Sequence, residues 1–281
     1  MKEFSSVGAC ELTTMHCGGT IAVVYEPETK EELYGLITGL DTFVVIGGGS
    51  NMIFPDGLIT TAVIRLGKAF ASVSMQGGDL SAGGSAPLKA LLQYCLRNTL
   101  SGLEFLAGIP GTVGGALCMN AGTPDKGIMD AVKDVEFIDR QGIHVADGKA
   151  IPYRYRCGGL DPSAVITSAR FHVHPCTTEE IASAIESFLA RKKNQPGGFN
   201  CGSMFKNPPG SAAGYLIEQA GLKGFRIGGA KISEIHANFI INDGTATTAD
   251  IKSLLGTIKE RVKERFGVDL QEEVKILDER L

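Results

Sequence analysis

At 281 residues, 43% hydrophobic and 21% charged, the chain can bury a core without staples and has room for one large domain or two to three small ones. A formal net charge of −4, with acids and bases interleaved, argues against a nucleic-acid backbone as the main partner, because such binders concentrate Lys and Arg. Seven cysteines, with no C-x-x-C and no zinc-finger histidine spacing, argue against a structural metal and for reduced thiols in a cytoplasmic protein.

In chain order, Ile21 to Tyr25 reads as a strand and Glu28 to Leu40 as an amphipathic helix with Leu33, Leu36, Ile37 and Leu40 on one face. Thr42 to Ile46 is a buried strand that runs into Gly47-Gly48-Gly49-Ser50-Asn51. Brief strands and turns fill 59–82, and a helix from Pro87 to Asn98 turns Leu88, Leu91, Leu92 and Leu96 inward. The glycine-rich stretch 108–122 reads as mostly loop. Strands follow at 132–139, 143–146 and 164–174. Thr177 with Glu180 has the form of a capping box opening a helix to about Asn194. Gln195-Pro196-Gly197-Gly198 then breaks the chain, a candidate domain boundary. The remainder carries helices at 211–220 and 248–266 and strands at 238–242 and 274–277. No segment approaches the apolar length of a membrane span, and the N-terminus has no basic region followed by an apolar run, so the protein is expected to stay in the cytoplasm. The pattern is α+β, with a larger N-terminal part and a smaller C-terminal one.

The 37 glycines cluster rather than scatter. A buried strand running into Gly47, Gly48, Gly49, Ser50, Asn51 and Met52 can present successive N–H groups to phosphate oxygens. It is not the G-x-G-x-x-G fingerprint, since Met52 stands at the third glycine, nor a P-loop, and a plain tight turn is an equal reading. A second stretch, Gly108-Ile109-Pro110-Gly111-Thr112-Val113-Gly114-Gly115, continues to Asn120-Ala121-Gly122. With glycines every third residue and Pro110 fixing φ, it can wrap a diphosphate with amides alone. A glycine-rich corner in a sheet domain is the structural alternative.

Three further segments carry polar chemistry. Asn200 to Pro208 places Ser203 in a small-residue loop a turn from Lys206 and Asn207, without the Gly-x-Ser-x-Gly form of a hydrolase elbow. The five histidines (16, 144, 172, 174 and 236) form no triad pattern, and 144, 172 and 174 read as strand-surface residues. Tyr153-Arg154-Tyr155-Arg156 suits an exposed strand face. Glu273 is one of two acids leading into an apolar strand.

Taken together, these segments resemble the UDP-N-acetylenolpyruvoylglucosamine reductases over nearly the whole chain. Thr13-Thr14-Met15-His16-Cys17-Gly18-Gly19 is similar to the family's opening motif, Gly47 to Asn51 to its Gly-x-Gly-Ser-Asn loop, and Leu103 to Gly122 to its second flavin loop. Asn200 to Pro208 resembles the Gly-Ser-Phe-Phe-Lys-Asn-Pro segment, and Gly228 to Ser233 with His236-Ala237-Asn238 a block of the shorter subclass. The resemblance implies an FAD-binding domain of the vanillyl-alcohol-oxidase type plus a smaller α+β substrate-binding domain. The implied boundaries are 1–57 (with 268–281 returning to it) and 58–191 for FAD, and 192–267 for substrate.

It further implies a reductase of peptidoglycan synthesis, acting in the cytoplasm on a small enolpyruvyl UDP-sugar with NADPH as electron donor. No metal, membrane, nucleic acid or obligate protein partner is expected. The glycine loops, from Gly47 to Met52 and from Gly108 through Gly122, would hold FAD. Arg154, Ser203 and Glu273 would be catalytic, Ser203 as proton donor, and Lys206, Asn207 and His236 would lie near the sugar nucleotide. This chain departs from the family pattern at Tyr155, Arg156, Cys201, Met204 and Gln271-Glu272. Arg154 matches the family arginine by register, with Arg156 the neighbouring alternative. Two other readings are an alcohol oxidase that tethers its flavin through His16 or Cys17, and a sugar-nucleotide binder without redox chemistry.

Overall fold

The computed structural model describes residues 1–277; the last four positions of the expected 268–281 segment lie outside the described residues. The chain forms two compact units. The first comprises Met1–Glu3, Tyr25–Gly48 and Val63–Lys193; the second comprises Phe4–Val24, Gly49–Ala62 and the residues from Asn194 onward. Helices and strands alternate through both, the α+β architecture expected from sequence.

The first unit is built on a five-stranded antiparallel sheet. Its strands lie in the order Gly142–Asp147, Val132–Asp139, Val165–Phe171, Asp79–Gly83 and Val73–Gln76. Along Val132–Asp139 the buried residues are Val132, Val135 and Ile138, a spacing of three where a flat strand would give two. Two register shifts, between Val132 and Asp134 and between Glu136 and Phe137, account for it, because each bulge moves the following side chains to the other face. The Leu88–Arg97 helix buries Leu88, Leu91, Leu92 and Cys95 in the same core. Cys95, not the expected Leu96, completes that face, as an i, i+3, i+4, i+7 stripe begun at Leu88 requires. Lys30–Gly39 packs Leu33, Leu36 and Ile37 on Ile64, Ile138 and Val165. Thr178–Ala190 starts from the Thr177–Glu180 capping box read in the sequence and ends four residues before Asn194.

Within 108–122, read as mostly loop, Val113–Cys118 forms a short α-helix that the sequence did not show. Thr112 accepts from the Gly115 N–H to cap it, while Val113, Ala116 and Leu117 face the core. Glycine content hid an apolar stripe too short to register as a period. The extended Lys2–Gly8 segment and the Ala9–Leu12 turn of helix were likewise not foreseen.

The second unit wraps its core around the Thr248–Phe266 helix, which buries Ile251, Leu254, Leu255, Ile258 and Val262 as its periodicity required. They pack with Met15, Cys17, Ile53, Met204 and Phe205. A three-stranded antiparallel sheet, Arg226–Ile227, Ala230–Ile232 and Ile240–Asn242, lies in the same unit. Thr247 and Asp250 form a capping box, and Gly267, at φ 68°, ends the helix in the left-handed conformation that glycine adopts without strain. Asp56 adds two further acceptors, for the N–H groups of Thr248 and Ala249, both at 3.0 Å. Replacing Thr247 with Ala removes one capping acceptor and is expected to lower stability by about 1 kcal/mol, read as a shift in the denaturant midpoint at unchanged slope.

Candidate functional site

The two glycine-rich segments, sixty residues apart in sequence, touch within the first unit. A Cβ on Gly47 would lie 2.6 Å from Thr112 Oγ1, and one on Gly48 would lie 2.7 Å from the Gly111 Cα. At Gly48 main chain therefore meets main chain, while Gly47 meets the Thr112 hydroxyl. Gly47, Gly48, Gly108 and Gly115 are all exposed, so the contact presents a surface of bare backbone. Not every amide there is available. Val113 N–H donates to Ala86 O, Gly114 N–H to Gly84 O, and Gly115 N–H to the Thr112 hydroxyl. The short helix is thus spent on its own scaffold, and Gly114 serves packing, since a Cβ there would come within 3.0 Å of Gly84 O. Lys192 lies over the edge of this loop: its Nζ donates to Ala107 O at 2.6 Å, and its Cδ would meet a Cβ on Gly108 at 2.9 Å. Burial, with a smaller contribution from Arg156, pushes the Lys192 ammonium down to about 8.

Arg154 stands on a tight hairpin, its N–H and C=O both bonded to Cys157 at 2.9 Å. Arg156 occupies the turn at φ 55°, which separates the two arginines by conformation. Arg154 lines an open cleft with Asn120, Lys126, Asp130, Tyr153 and Tyr155. Asn120, buried, bonds Met129 N–H through Oδ1 and Arg154 O through Nδ2. Ala121 N–H returns to Ala116 O, and Gly122 pairs with Gly127, closing the segment.

In the second unit, Gly49 sits at φ 62° with Leu12 O where a Cβ would be, 1.9 Å away, and its carbonyl accepts from Thr14 N–H. Asn51 then joins this loop to the C-terminal segment: its Nδ2 donates to Glu273 O at 3.1 Å, and its carbonyl accepts from Lys275 N–H. Met52–Ile53 pairs in parallel with Lys275–Ile276. The serine segment zips onto the same stretch, with Glu273 N–H bonded to Met204 O, Lys206 N–H to Gln271 O, and Phe205 opposite Glu272. Ser203, half-buried, is thereby held beside the segment that carries Glu273.

A residue given no role from sequence, Asn238, fixes the serine segment. Its side chain accepts from Phe205 N–H and donates to Phe205 O, while its carbonyl accepts from Met204 N–H. One buried asparagine so imitates a strand partner. The only sequence signal was its place after His236-Ala237. Asn207 Oδ1 accepts from Ala213 N–H at the start of the Ala213–Gln219 helix. His236 packs against that helix, where a Cβ on Gly214 would come 2.9 Å from its ring, and meets Phe239 edge-on. Desolvation lowers its pKa from 6.5, favouring neutral imidazole, and its Nδ1 accepts from Asn238 N–H.

One alternative raised by the sequence, a flavin tethered through Cys17, loses ground on thiol chemistry. Cys17 is 4% exposed and burial pushes it up to about 11; Cys201 is 2% exposed and pushed up to about 12. A thiol so far from ionisation is a poor nucleophile. His16 stacks on Phe199 at 4.1 Å.

Residues 21–147 match the model of an FAD binding domain, and residues 194–277 match that of the UDP-N-acetylenolpyruvoylglucosamine reductase C-terminal domain. A UDP-N-acetylenolpyruvoylglucosamine reductase of Rhodopseudomonas palustris is 42% identical over 94% of this chain and 88% of its own length. One from Geobacter metallireducens is 40% identical over 95% and 91%. The chain belongs to the UDP-N-acetylenolpyruvoylglucosamine reductases. The crystal structure of the Thermus caldophilus reductase superposes with a TM-score of 0.88 at 36% identity, covering 99% of this chain and 98% of that one. This reductase is accordingly an FAD-binding oxidoreductase, with the cofactor domain ahead of the smaller C-terminal part.

The bare-backbone surface fits that cofactor, because a diphosphate or a flat ring system can approach amides to hydrogen-bond distance only where no Cβ stands. In the second unit, the Thr14 hydroxyl is buried without a partner among the described residues. Thiol labelling of the native protein tests the cysteine environments. Exposed Cys118 is expected to alkylate readily at neutral pH while Cys17 and Cys201 stay unmodified until denaturant is added, as peptide mass spectrometry would resolve.

Proposed function

We propose that this reductase converts the enolpyruvyl ether of UDP-N-acetylglucosamine to UDP-N-acetylmuramate for peptidoglycan synthesis, with FAD as cofactor and NADPH as donor, in the cytoplasm. The observation that carries the reading is the junction in the second unit. The Ser203 segment, the Glu273 segment and the Asn51 loop are tied together by main-chain bonds from three distant parts of the sequence. Residues 1–57, 268–281 and 58–191 would form the cofactor part and 192–267 the substrate part.

In this reading Gly47, Gly48, Gly49, Ser50, Asn51 and Met52, together with Gly108, Ile109, Pro110, Gly111, Thr112 and Gly115, would hold FAD. Gly114, Asn120, Ala121 and Gly122 shape the second loop. Bound FAD would supply the two-electron chemistry that links NADPH to the terminal vinyl carbon of the substrate. The chain's own groups do the rest. Hydride addition drives negative charge toward the substrate carboxylate, and Arg154, a fixed cation, meets that charge without reorganisation. Glu273 steadies the carboxylate or the arginine through a hydrogen bond. Ser203 gives its proton to the neighbouring carbon, so one hydride and one proton saturate the double bond, and solvent reprotonates the serine. A serine hydroxyl is a weak acid, so the step depends on proton and carbanion being held in line. Lys206, Asn207 and neutral His236 face the sugar nucleotide.

Anaerobic stopped-flow separates the two halves. Ser203→Ala is expected to leave flavin reduction by NADPH near the native rate and to slow reoxidation by the enolpyruvyl sugar by orders of magnitude; equal slowing of both removes Ser203 as proton donor. Arg154→Ala should cost at least about 2.7 kcal/mol in the second half-reaction, the scale of a lost oxyanion donor. A near-native rate would move the role to Arg156.

A further inference from the structure

Position 120 faces two demands at once. Its backbone lies at φ 42°, the left-handed region that only glycine, asparagine and aspartate enter at small cost. Its side chain, 8% exposed, must accept a hydrogen bond at one end, from Met129 N–H at 3.1 Å, and donate one at the other, to Arg154 O at 3.2 Å. Glycine supplies neither bond and aspartate cannot donate. Asparagine alone meets both conditions.

The surroundings tighten the fit. Gly127 lies against the amide, where a Cβ would come 2.0 Å from Oδ1, so that wall has no space for a side chain. On the far side, the Arg154 carbonyl is held twice, by Asn120 and by the N–H of Cys157 at 2.9 Å. The arginine hairpin is closed upon itself by its two bonds to Cys157. Asn120 is the described side chain that hydrogen-bonds the arginine's main chain, anchoring it to the 127–130 turn. One N–H and the oxygen of the amide are thereby committed to the scaffold, and the side chain is almost wholly buried.

We propose that Asn120 is a positioning residue for Arg154 and does not hold the cofactor through its side chain, an inference that rests on the reading of Arg154 given above. The amide fixes where the guanidinium stem begins, and so where its charge meets the substrate carboxylate.

Asn120→Asp keeps the tolerance for positive φ and the acceptor for Met129 but removes the donor to Arg154. FAD affinity and flavin reduction by NADPH are expected to stay within about twofold of native. Reoxidation by the enolpyruvyl sugar should slow by about tenfold to a hundredfold, the scale of an ångström-sized misplacement. The double variant with Arg154→Ala should be no slower than Arg154→Ala alone, because a positioner has no effect once its target is gone. Asn120→Gly, which also accepts the backbone angle, should show the same split between half-reactions if the aspartate variant folds poorly. Weakened FAD binding with both half-reactions slowed would make Asn120 a cofactor ligand and overturn the proposal. So would native reoxidation in both position-120 variants while Arg154→Ala is slow. If Arg154→Ala itself reoxidises at the native rate, the reading of Arg154 fails first and this inference falls with it.

Discussion

Close approach of naked main chain is the constraint on which the candidate site depends. Gly48 abuts the Gly111 main chain and Gly47 the Thr112 hydroxyl, both at distances that leave no place for a methyl group. A single Cβ at either position would push the loops apart and fill the surface that a cofactor would use. The same contact also explains why both segments are rich in glycine in the first place. Some glycines there serve the scaffold, such as Gly84, whose Cβ would stand 2.2 Å from Ile166 O, and Gly114. Others, such as Gly47 and Gly48, remain exposed.

Asparagines do an outsized share of the joining. Asn51, Asn120, Asn238 and Asn242 each bridge main-chain groups remote in sequence. Asn242 donates to both Met15 O and His16 O while accepting from Gly244 and Ala246. An amide can satisfy a donor and an acceptor together, so a buried asparagine can replace the missing partner where strands do not reach. The loops carrying Ser203, Arg154 and Glu273 are each tied by hydrogen bonds to segments remote in sequence.

The helices of Leu88–Arg97 and Thr248–Phe266 were legible because their apolar residues recur at 3.6-residue spacing, and Thr177 with Glu180 announced its helix through capping chemistry. Val113–Cys118 was not, because six residues with two glycines carry too little pattern. The spacing of three along Val132–Asp139 has its cause in bulges, which depend on the partner strand and have no mark in a single sequence. For the candidate site, the motifs named Arg154, Ser203 and Glu273 as expectations. Asn238 and the bridging role of Asn120 escaped notice, since an asparagine's use is decided by which backbone groups come to it.

The sequence by itself determined the elements with strong period, the clustering of glycine and the family to which the chain belongs, all of which are local or additive properties of residue order. Tertiary structure alone decided which glycines touch, which amides are consumed by the scaffold, and which arginine of the Tyr-Arg-Tyr-Arg run is held by Asn120. Those outcomes turn on contacts between residues tens to hundreds apart. Such contacts are set by how the chain closes on itself, which no local pattern encodes.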